Sequence, residues 1–311
     1  MLLWCSIQAV CRIFLFLFSA GSASAWSPLF LSASSDSSSQ SSAAPSILLQ
    51  VDLAKELTSG TTTLPPMVSV PCSVLGNNND DDKGALSCLR ELIQPPNVET
   101  LYDWYVNVQQ KPDADPSWAV VWPTAVTLAN YLLANPSVVQ GKQVIELGCG
   151  LGLAGLTAAS SSAQQVLLTD REPFALHCAM STAAVHDLQV VQAAILDWND
   201  ENISADIVES ADIILASDVL YDNDCIEAFV GICTKIAAPT GAQVLLTDPV
   251  EPRTPGARDM LRKSLLRRKS NVQIEEIELP VPQPMGGASS MDAKDHQRRM
   301  QEPTVLLKFD I

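Results

Sequence analysis

The sequence predicts an α/β fold in which a doubly wound, mostly parallel sheet of seven strands is covered by helices on both faces. Three observations predict it. From Gln140 onward, short apolar runs alternate with longer amphipathic runs, which is the pattern of strands joined by helices. Glycines cluster directly after the first apolar run, where the chain must turn sharply. The 311 residues are 47% hydrophobic, which is enough for one sizeable core with appendages.

The apolar runs place the elements in order along the chain. Strands are predicted at residues 143–147, 165–169, 190–194, 213–217 and 243–247, and helices at 152–161, 172–186, 225–236 and 256–270. Two closing strands are predicted at 272–279 and 305–309, joined by a polar insertion at 280–303.

The amino terminus has the pattern of a signal peptide. Arg12 precedes an apolar run, and small residues follow up to Ala25. The stretch is too short for a spanning helix, which needs roughly 20 apolar residues, so we expect no stable membrane span after cleavage. The junction at 23–28 resembles that of proteins delivered to the plastids of algae with secondary plastids. A plastid address is therefore expected. The secretory pathway is the alternative, because transit peptides are usually basic and no basic residue lies between Arg12 and Lys55.

These features divide the chain into four parts. Residues 1–25 are the signal peptide, and 26–46 are a serine-rich transit or linker segment. A lead-in follows at 47–115, with a polar loop at 76–83. The main α/β domain is predicted at 116–311.

Charge and cysteine usage narrow the possible partners. Lys and Arg number 19 against 35 Asp and Glu, a net charge of -16, which repels a phosphate backbone and attracts basic partners. We therefore expect no nucleic-acid substrate. The eight cysteines form no C-x-x-C pair, so reduced thiols and no metal site are expected. Cys178, Cys225 and Cys233 fall on apolar helical segments and are predicted to be buried.

The glycine cluster predicts a cofactor-binding loop. Gly148, Gly150, Gly152 and Gly155 let the backbone approach a ligand with no side chain between. The last three also satisfy the dinucleotide fingerprint, so a nicotinamide enzyme stays open at this point. Glu146 lies two residues before the first glycine, which is the E-x-G-x-G-x-G form of class I methyltransferases.

Further segments resemble the seven-strand protein-lysine methyltransferases grouped as methyltransferase family 16. The resemblance covers roughly the last two thirds of the chain. It rests on the tryptophan-led segment 121–132, the post-loop segment 168–173, the Leu-Asp-Trp element 196–198 and the D-x-x-Y segment 216–221. It implies a Rossmann-like, doubly wound seven-strand methyltransferase sheet, mostly parallel with an antiparallel last strand.

The resemblance also implies an activity, a cofactor and site residues. It implies an S-adenosyl-L-methionine-dependent methyltransferase that modifies lysine side chains of a protein, with a basic protein suiting the charge. It further implies that Asp218 orients the incoming amine and that Tyr221 forms one wall and a hydrogen bond, with the amine proton lost to water. The implied cofactor-binding residues are Trp122, Glu146, Gly148, Cys149, Gly150, Asp170, Asp197, Trp198 and Ser217.

Three alternatives remain open. The enzyme could act on arginine or on a small amine. The shape of the pocket discriminates between substrates, because an open acidic trough suits a protein and a closed cup suits a small amine. A noncatalytic interaction module that retains the fold is the second, and a nicotinamide oxidoreductase is the third. We expect a monomer, because no heptad or long exposed apolar face is present.

Overall fold

The computed structural model describes residues 64–72, 89–200, 211–237, 241–281 and 301–311. All of them lie in one compact unit, Ile47–Ile311. The predicted signal peptide, the serine-rich segment, the polar loop at 76–83 and most of the insertion at 280–303 lie outside the described residues.

Strands and helices alternate along most of the described chain. The strands are β1 (Val68–Pro71), β2 (Glu91–Gln94), β3 (Gln143–Leu147), β4 (Gln165–Asp170), β5 (Val191–Ile195), β6 (Ile213–Ser217), β7 (Gln243–Pro249), β8 (Glu275–Leu279) and β9 (Thr304–Asp310). The α-helices are α1 (Val98–Asn107), α2 (Pro123–Ala134), α3 (Leu153–Ser160), α4 (Pro173–Val185), α5 (Asn223–Ile236) and α6 (Ala257–Arg268). Short 3-10 helices lie at Pro116–Ala119 and Pro136–Val138.

Seven strands form the main sheet, in the order β5-β4-β3-β6-β7-β9-β8. The five strands from β3 to β7 are parallel to one another. The last strand, β9, runs antiparallel to both β7 and β8 and lies between them. This confirms the predicted doubly wound, mostly parallel sheet with an antiparallel last strand.

Both faces of the central strands of the sheet are buried, which explains why these strands read as continuous apolar runs. Val144 and Val166 belong to a core that α2, α3 and α4 cover. Ile145 and Leu167, one residue further along the same strands, belong to a second core under α5 and α6. Alternate side chains of one strand therefore face opposite helical layers.

The predicted strand and helix positions agree with the structure to within a few residues. β3 and β6 have the predicted bounds, whereas β8 begins at Glu275, later than the predicted residue 272. The helix predicted at 256–270 ends earlier, at Arg268, because Lys269 takes an extended conformation.

The lead-in contributes elements that the sequence analysis did not predict. β1 and β2 pair as an antiparallel hairpin. Asn97 caps α1 by accepting a 2.7 Å hydrogen bond from the backbone of Thr100. Leu101, Trp104 and Tyr105, at helical spacing, are buried on one face of α1. These residues fall within the predicted lead-in, yet they pack into the same core as the main domain.

Among the described helices, none combines the length and apolar character that crossing a membrane requires.

Candidate functional site

A cavity of about 540 Å³ opens at the carboxyl ends of the central strands. Gly148 and Gly150 line it from the loop after β3, Asp170 from the end of β4, and Ser217 and Asp218 from the end of β6. Because β3 pairs with both β4 and β6, the cavity lies where the strand order reverses. Open α/β sheets bind their ligands at this position.

The glycine loop presents bare backbone to this cavity. Gly148 and Gly150 have φ angles of 64° and 51°, in the left-handed region where a side chain is strained. A Cβ atom at Gly150 would lie 3.0 Å from the backbone oxygen of Trp118, and one at Gly148 would lie 3.2 Å from the Trp198 ring. The loop is therefore closely walled on two sides, and only glycine fits it without strain.

Asp170 ties this loop to the next strand. Its Oδ2 accepts a 2.8 Å hydrogen bond from the backbone of Gly150, and its Oδ1 accepts one of 2.9 Å from the backbone of Glu172. Burial raises the pKa of Asp170, and these two backbone donors act against that rise. A carboxylate has about four acceptor positions, and the backbone amide of Arg171 is a third donor to Asp170, so one position remains for a ligand hydroxyl group.

Glu146 lies beneath the loop and is not among the residues that line the cavity. It is 1% exposed and accepts a 2.7 Å hydrogen bond from the backbone of Gly155, in the first turn of α3. Burial raises the pKa of Glu146 to about 8. Glu146 therefore supports the glycine loop from below.

The structure brings together the other residues that the sequence analysis selected. They all line the one cavity: Trp122, Gly148, Cys149, Gly150, Asp170, Asp197, Trp198, Ser217, Asp218 and Tyr221. Trp198 packs against Phe229 with ring centroids 5.5 Å apart, which fixes its indole at the cavity wall. Four strand ends, distant in sequence, therefore meet at one site.

The cysteines are placed by the helices on which they lie. Cys178 and Cys233 are buried, as predicted. The same prediction is wrong for Cys225, which is only partly buried and lines the cavity. Its position in the first turn of α5 explains this, because that turn faces the carboxyl end of the sheet.

Two side chains that follow β6, Asp218 and Tyr221, differ in their exposure to solvent. Asp218 is 7% exposed and has a φ angle of 57°, which is uncommon for a residue other than glycine. Tyr221 is 49% exposed at the cavity mouth. Strained backbone of this kind persists where surrounding contacts hold it and is frequent at functional sites.

The sequence is similar to that of known methyltransferases. The sequence model of a family described as lysine methyltransferase matches residues 106–249. The electron transfer flavoprotein beta subunit lysine methyltransferase of Danio rerio is 34% identical over 149 residues, 47% of this chain and 55% of that protein. Protein N-lysine methyltransferase METTL21A of Danio rerio is 36% identical over 45% of this chain and 65% of that protein. Histone-arginine methyltransferase METTL23 of Rattus norvegicus is 36% identical over 35% of this chain and 49% of that protein.

The match over residues 106–249 agrees with the family that the sequence analysis named. The chain spans about half to just under two thirds of the length of these curated relatives.

The structure shows a further residue in contact with the D-x-x-Y segment. Arg253, four residues after β7, holds both oxygens of Asp218: its Nε donates to Oδ1 at 2.6 Å and its Nη2 to Oδ2 at 2.6 Å. The Arg253 guanidinium also lies over the Trp122 ring, 4.8 Å from the centroid. The sequence analysis missed Arg253. The signal available was its position just after a strand end on the ligand side of the sheet.

The sequence analysis also missed a second group of residues, which covers the glycine loop. Trp118 lies in the cavity wall and donates a 3.0 Å hydrogen bond from Nε1 to the hydroxyl of Tyr105 on α1. Asp113 and Asp115 are exposed at the same rim, and Asp115 pairs with Arg171 at 3.5 Å. Part of the predicted lead-in therefore closes one side of the cavity.

Proposed function

We propose that this protein is an S-adenosyl-L-methionine-dependent N-methyltransferase that modifies lysine side chains of a protein substrate. One observation carries the proposal: Asp218 and Tyr221 line the same cavity as the glycine loop of Gly148 and Gly150. A group that orients an amine and a loop that cradles a cofactor thus share one space.

The cavity fits this cofactor. Its volume of about 540 Å³ lies within the range of roughly 300–1,000 Å³ for small-molecule sites. The bare backbone at Gly150 and the remaining acceptor position of Asp170 suit the ribose end. Trp198 supplies an apolar wall for the adenine, and Cys149 is small enough not to fill the space.

The chemistry is a direct displacement that needs alignment more than a covalent relay. When bound, S-adenosyl-L-methionine supplies an electrophilic methyl group on a positively charged sulfur. A neutral lysine nitrogen would form a bond to the methyl carbon as the carbon–sulfur bond broke, which would leave S-adenosylhomocysteine, and the amine proton would pass to water. Asp218 accepts a hydrogen bond from the amine, and Tyr221 forms one wall of the approach path.

The rim of the cavity supports a protein substrate. Exposed residues at the mouth include Asp113, Asp115 and Asp197, against the exposed cations Lys111 and Arg171. An exposed acidic mouth admits a chain segment and favours basic flanking residues, whereas a closed cup would select a small amine. The relatives named as lysine methyltransferases of the electron transfer flavoprotein beta subunit make that protein the first substrate to test.

Calorimetric titration of the full chain with S-adenosylhomocysteine, with NAD as the comparison ligand, tests the cofactor. Micromolar binding of S-adenosylhomocysteine without binding of NAD is expected, and the reverse result would overturn the proposal. A labelled-methyl assay with electron transfer flavoprotein beta subunit and with cell extract then tests the transfer. Mass spectrometry of the product identifies the methylated side chain.

Methylation of arginine is the second candidate. The similarity to a protein named as a histone-arginine methyltransferase favours it. The same mass-spectrometric experiment separates the candidates, because the methyl group is found either on lysine or on arginine. A methylated arginine with unmodified lysines would replace the lysine assignment and leave the cofactor assignment intact.

We also propose that residues 1–46 direct the protein to a plastid and that the protein is a monomer. The signal-peptide pattern, the junction at 23–28 and the serine-rich stretch support the plastid address. A fusion of residues 1–46 to a fluorescent protein, expressed in an alga with secondary plastids, is expected to enter the plastid. Secretion of the fusion would favour the secretory pathway instead. Light scattering of the purified protein tests the oligomeric state.

A further inference from the structure

The loop that follows β7 is fastened to the D-x-x-Y segment at two adjacent residues. Arg253 binds the Asp218 carboxylate through two 2.6 Å hydrogen bonds. The Thr254 hydroxyl donates a 2.6 Å hydrogen bond to the backbone oxygen of Tyr221. The two residues that the proposed function places at the methyl-transfer end are therefore held by the same loop.

Arg253 lies behind Asp218 relative to the cavity. Asp218 and Trp122 line the cavity, whereas Arg253 is not among the described residues that do. Its side chain is 23% exposed and that of Asp218 is 5% exposed, so little water screens the pair. Trp122 packs on the guanidinium and limits its movement.

The charged side chains around Arg253 and Asp218 also interact with one another. Asp248, at the end of β7, is paired with Arg258 at 2.9 Å. Asp248 and Glu302 both interact electrostatically with Arg253. Arg258 therefore offsets Asp248, and Arg253 is the cation that directly offsets Asp218.

The hydrogen-bond geometry leaves room for a substrate. A carboxylate has about four acceptor positions, and Arg253 uses one on each oxygen. The other two can accept hydrogen bonds from an amine in the cavity while Arg253 stays in place. A two-pronged guanidinium fixes the plane of the carboxylate, which a single ammonium group does not.

We propose that Arg253 is a positioning residue for methyl transfer: it fixes the plane of the Asp218 carboxylate and offsets its charge, so that Asp218 orients the target amine without favouring its protonated form. This inference rests on the proposed function. Its physical reason is that an isolated buried carboxylate would attract an ammonium ion, which is the unreactive form, while the paired carboxylate still accepts a hydrogen bond.

Binding of two cofactor analogues tests the inference without a substrate. S-adenosylhomocysteine lacks the transferable group, and sinefungin carries a protonated amine in its position. Calorimetry at neutral pH gives the ratio of the two affinities for the parent chain and for three variants, Arg253→Gln, Arg253→Lys and Asp218→Asn. Arg262→Gln is the matched control, because Arg262 pairs with Glu276 on β8, outside the cavity.

The charge effect predicts opposite shifts for the two sides of the pair. Arg253→Gln should raise the preference for sinefungin over S-adenosylhomocysteine about tenfold, and Asp218→Asn should lower it about tenfold. Arg253→Lys, which keeps the charge, should stay near the parent ratio, as should Arg262→Gln. The Asp218→Asn variant provides the test if Arg253→Gln does not fold.

Three results would overturn the inference. The ratio could stay at the parent value in both Arg253→Gln and Asp218→Asn. Both ligands could weaken equally, which is the result of a purely structural role. If the parent chain binds neither ligand, the proposed cofactor itself is wrong, and the inference falls with it. Binding of S-adenosylhomocysteine to the parent therefore separates failure of the proposed function from failure of the role of Arg253.

Discussion

The backbone amide of Gly150 donates a 2.8 Å hydrogen bond to Oδ2 of Asp170, which joins the glycine loop to the end of β4. The same carboxylate faces the cavity and also accepts the backbone amide of Glu172 at 2.9 Å. Removing the carboxylate would therefore release the loop as well as any ligand contact. Variants of the loop glycines separate these two effects better than Asp170→Ala does.

Gly150→Ala should weaken S-adenosylhomocysteine binding at least about tenfold, because the new Cβ would lie in the cavity wall only 3.0 Å from the Trp118 backbone oxygen and would displace one of the two. Gly141→Ala is the matched control. Gly141 has a similar φ angle of 67°, but nothing lies within 4 Å of its added Cβ. Calorimetry of both variants checks the prediction. Equal loss of affinity in the two would attribute the effect to backbone strain and contradict it.

Asp218→Asn should lower the turnover of methyl transfer about 100-fold while S-adenosylhomocysteine affinity changes little. Asparagine tolerates the φ angle of 57° at this position, so the backbone is preserved and the carboxylate is removed. A labelled-methyl assay with saturating cofactor measures the turnover.

The control for that variant is Asp222→Asn. Asp222 caps α5 by accepting a 3.0 Å hydrogen bond from the backbone of Asp224, and asparagine caps a helix equally well. Asp222 is not among the cavity-lining residues, so turnover should stay near the parent value. Normal turnover in Asp218→Asn would remove Asp218 from the mechanism.

Glu146 should make stability depend on pH. Its pKa is raised from 4.5 to about 8 in the folded protein, so the folded state holds the proton more tightly than the unfolded state. The stability from this proton is fully present below pH 4.5 and is lost as the pH rises through about 8. The stability of Glu146→Gln relative to the parent should therefore grow with pH, by on the order of 5 kcal/mol between the two limits.

Urea denaturation of both proteins at several pH values between 5 and 9 gives this difference. Subtracting the parent from the variant cancels the other titrating groups, and the glutamine oxygen can still accept the Gly155 amide. A difference that does not change with pH would show that Glu146 is already ionised in the folded protein.

Tyr105→Phe should destabilise the folded protein by about 1–2 kcal/mol, because the Trp118 indole would lose its acceptor in a buried position. Urea denaturation measures the free energy of unfolding. Tyr102→Phe, on the exposed side of the same helix, is the control and should change it by less than about 0.5 kcal/mol. Equal effects would mean that the buried hydrogen bond contributes nothing to stability.

The fold was largely predictable because its signals are local. Strands buried on both faces need continuous apolar runs, so β3 and β6 could be located to the residue. α1 carries a local signal too, with Asn97 as its cap and Leu101, Trp104 and Tyr105 at helical spacing. The lead-in was predicted to be irregular because it contains the polar loop at 76–83 and no neighbouring apolar run typical of a strand.

The sequence by itself determined the sheet, the glycine loop and the chain segments that end in Asp170, Trp198 and Asp218, because each depends on residues close together in the chain. Only the tertiary structure decided which partners these side chains have. Arg253 reaches Asp218 across 35 residues, and the Trp118 oxygen faces Gly150 from a segment that precedes the sheet. The physical reason is that charge pairing and close packing depend on distance in space, which sequence spacing does not encode between elements joined by long connections.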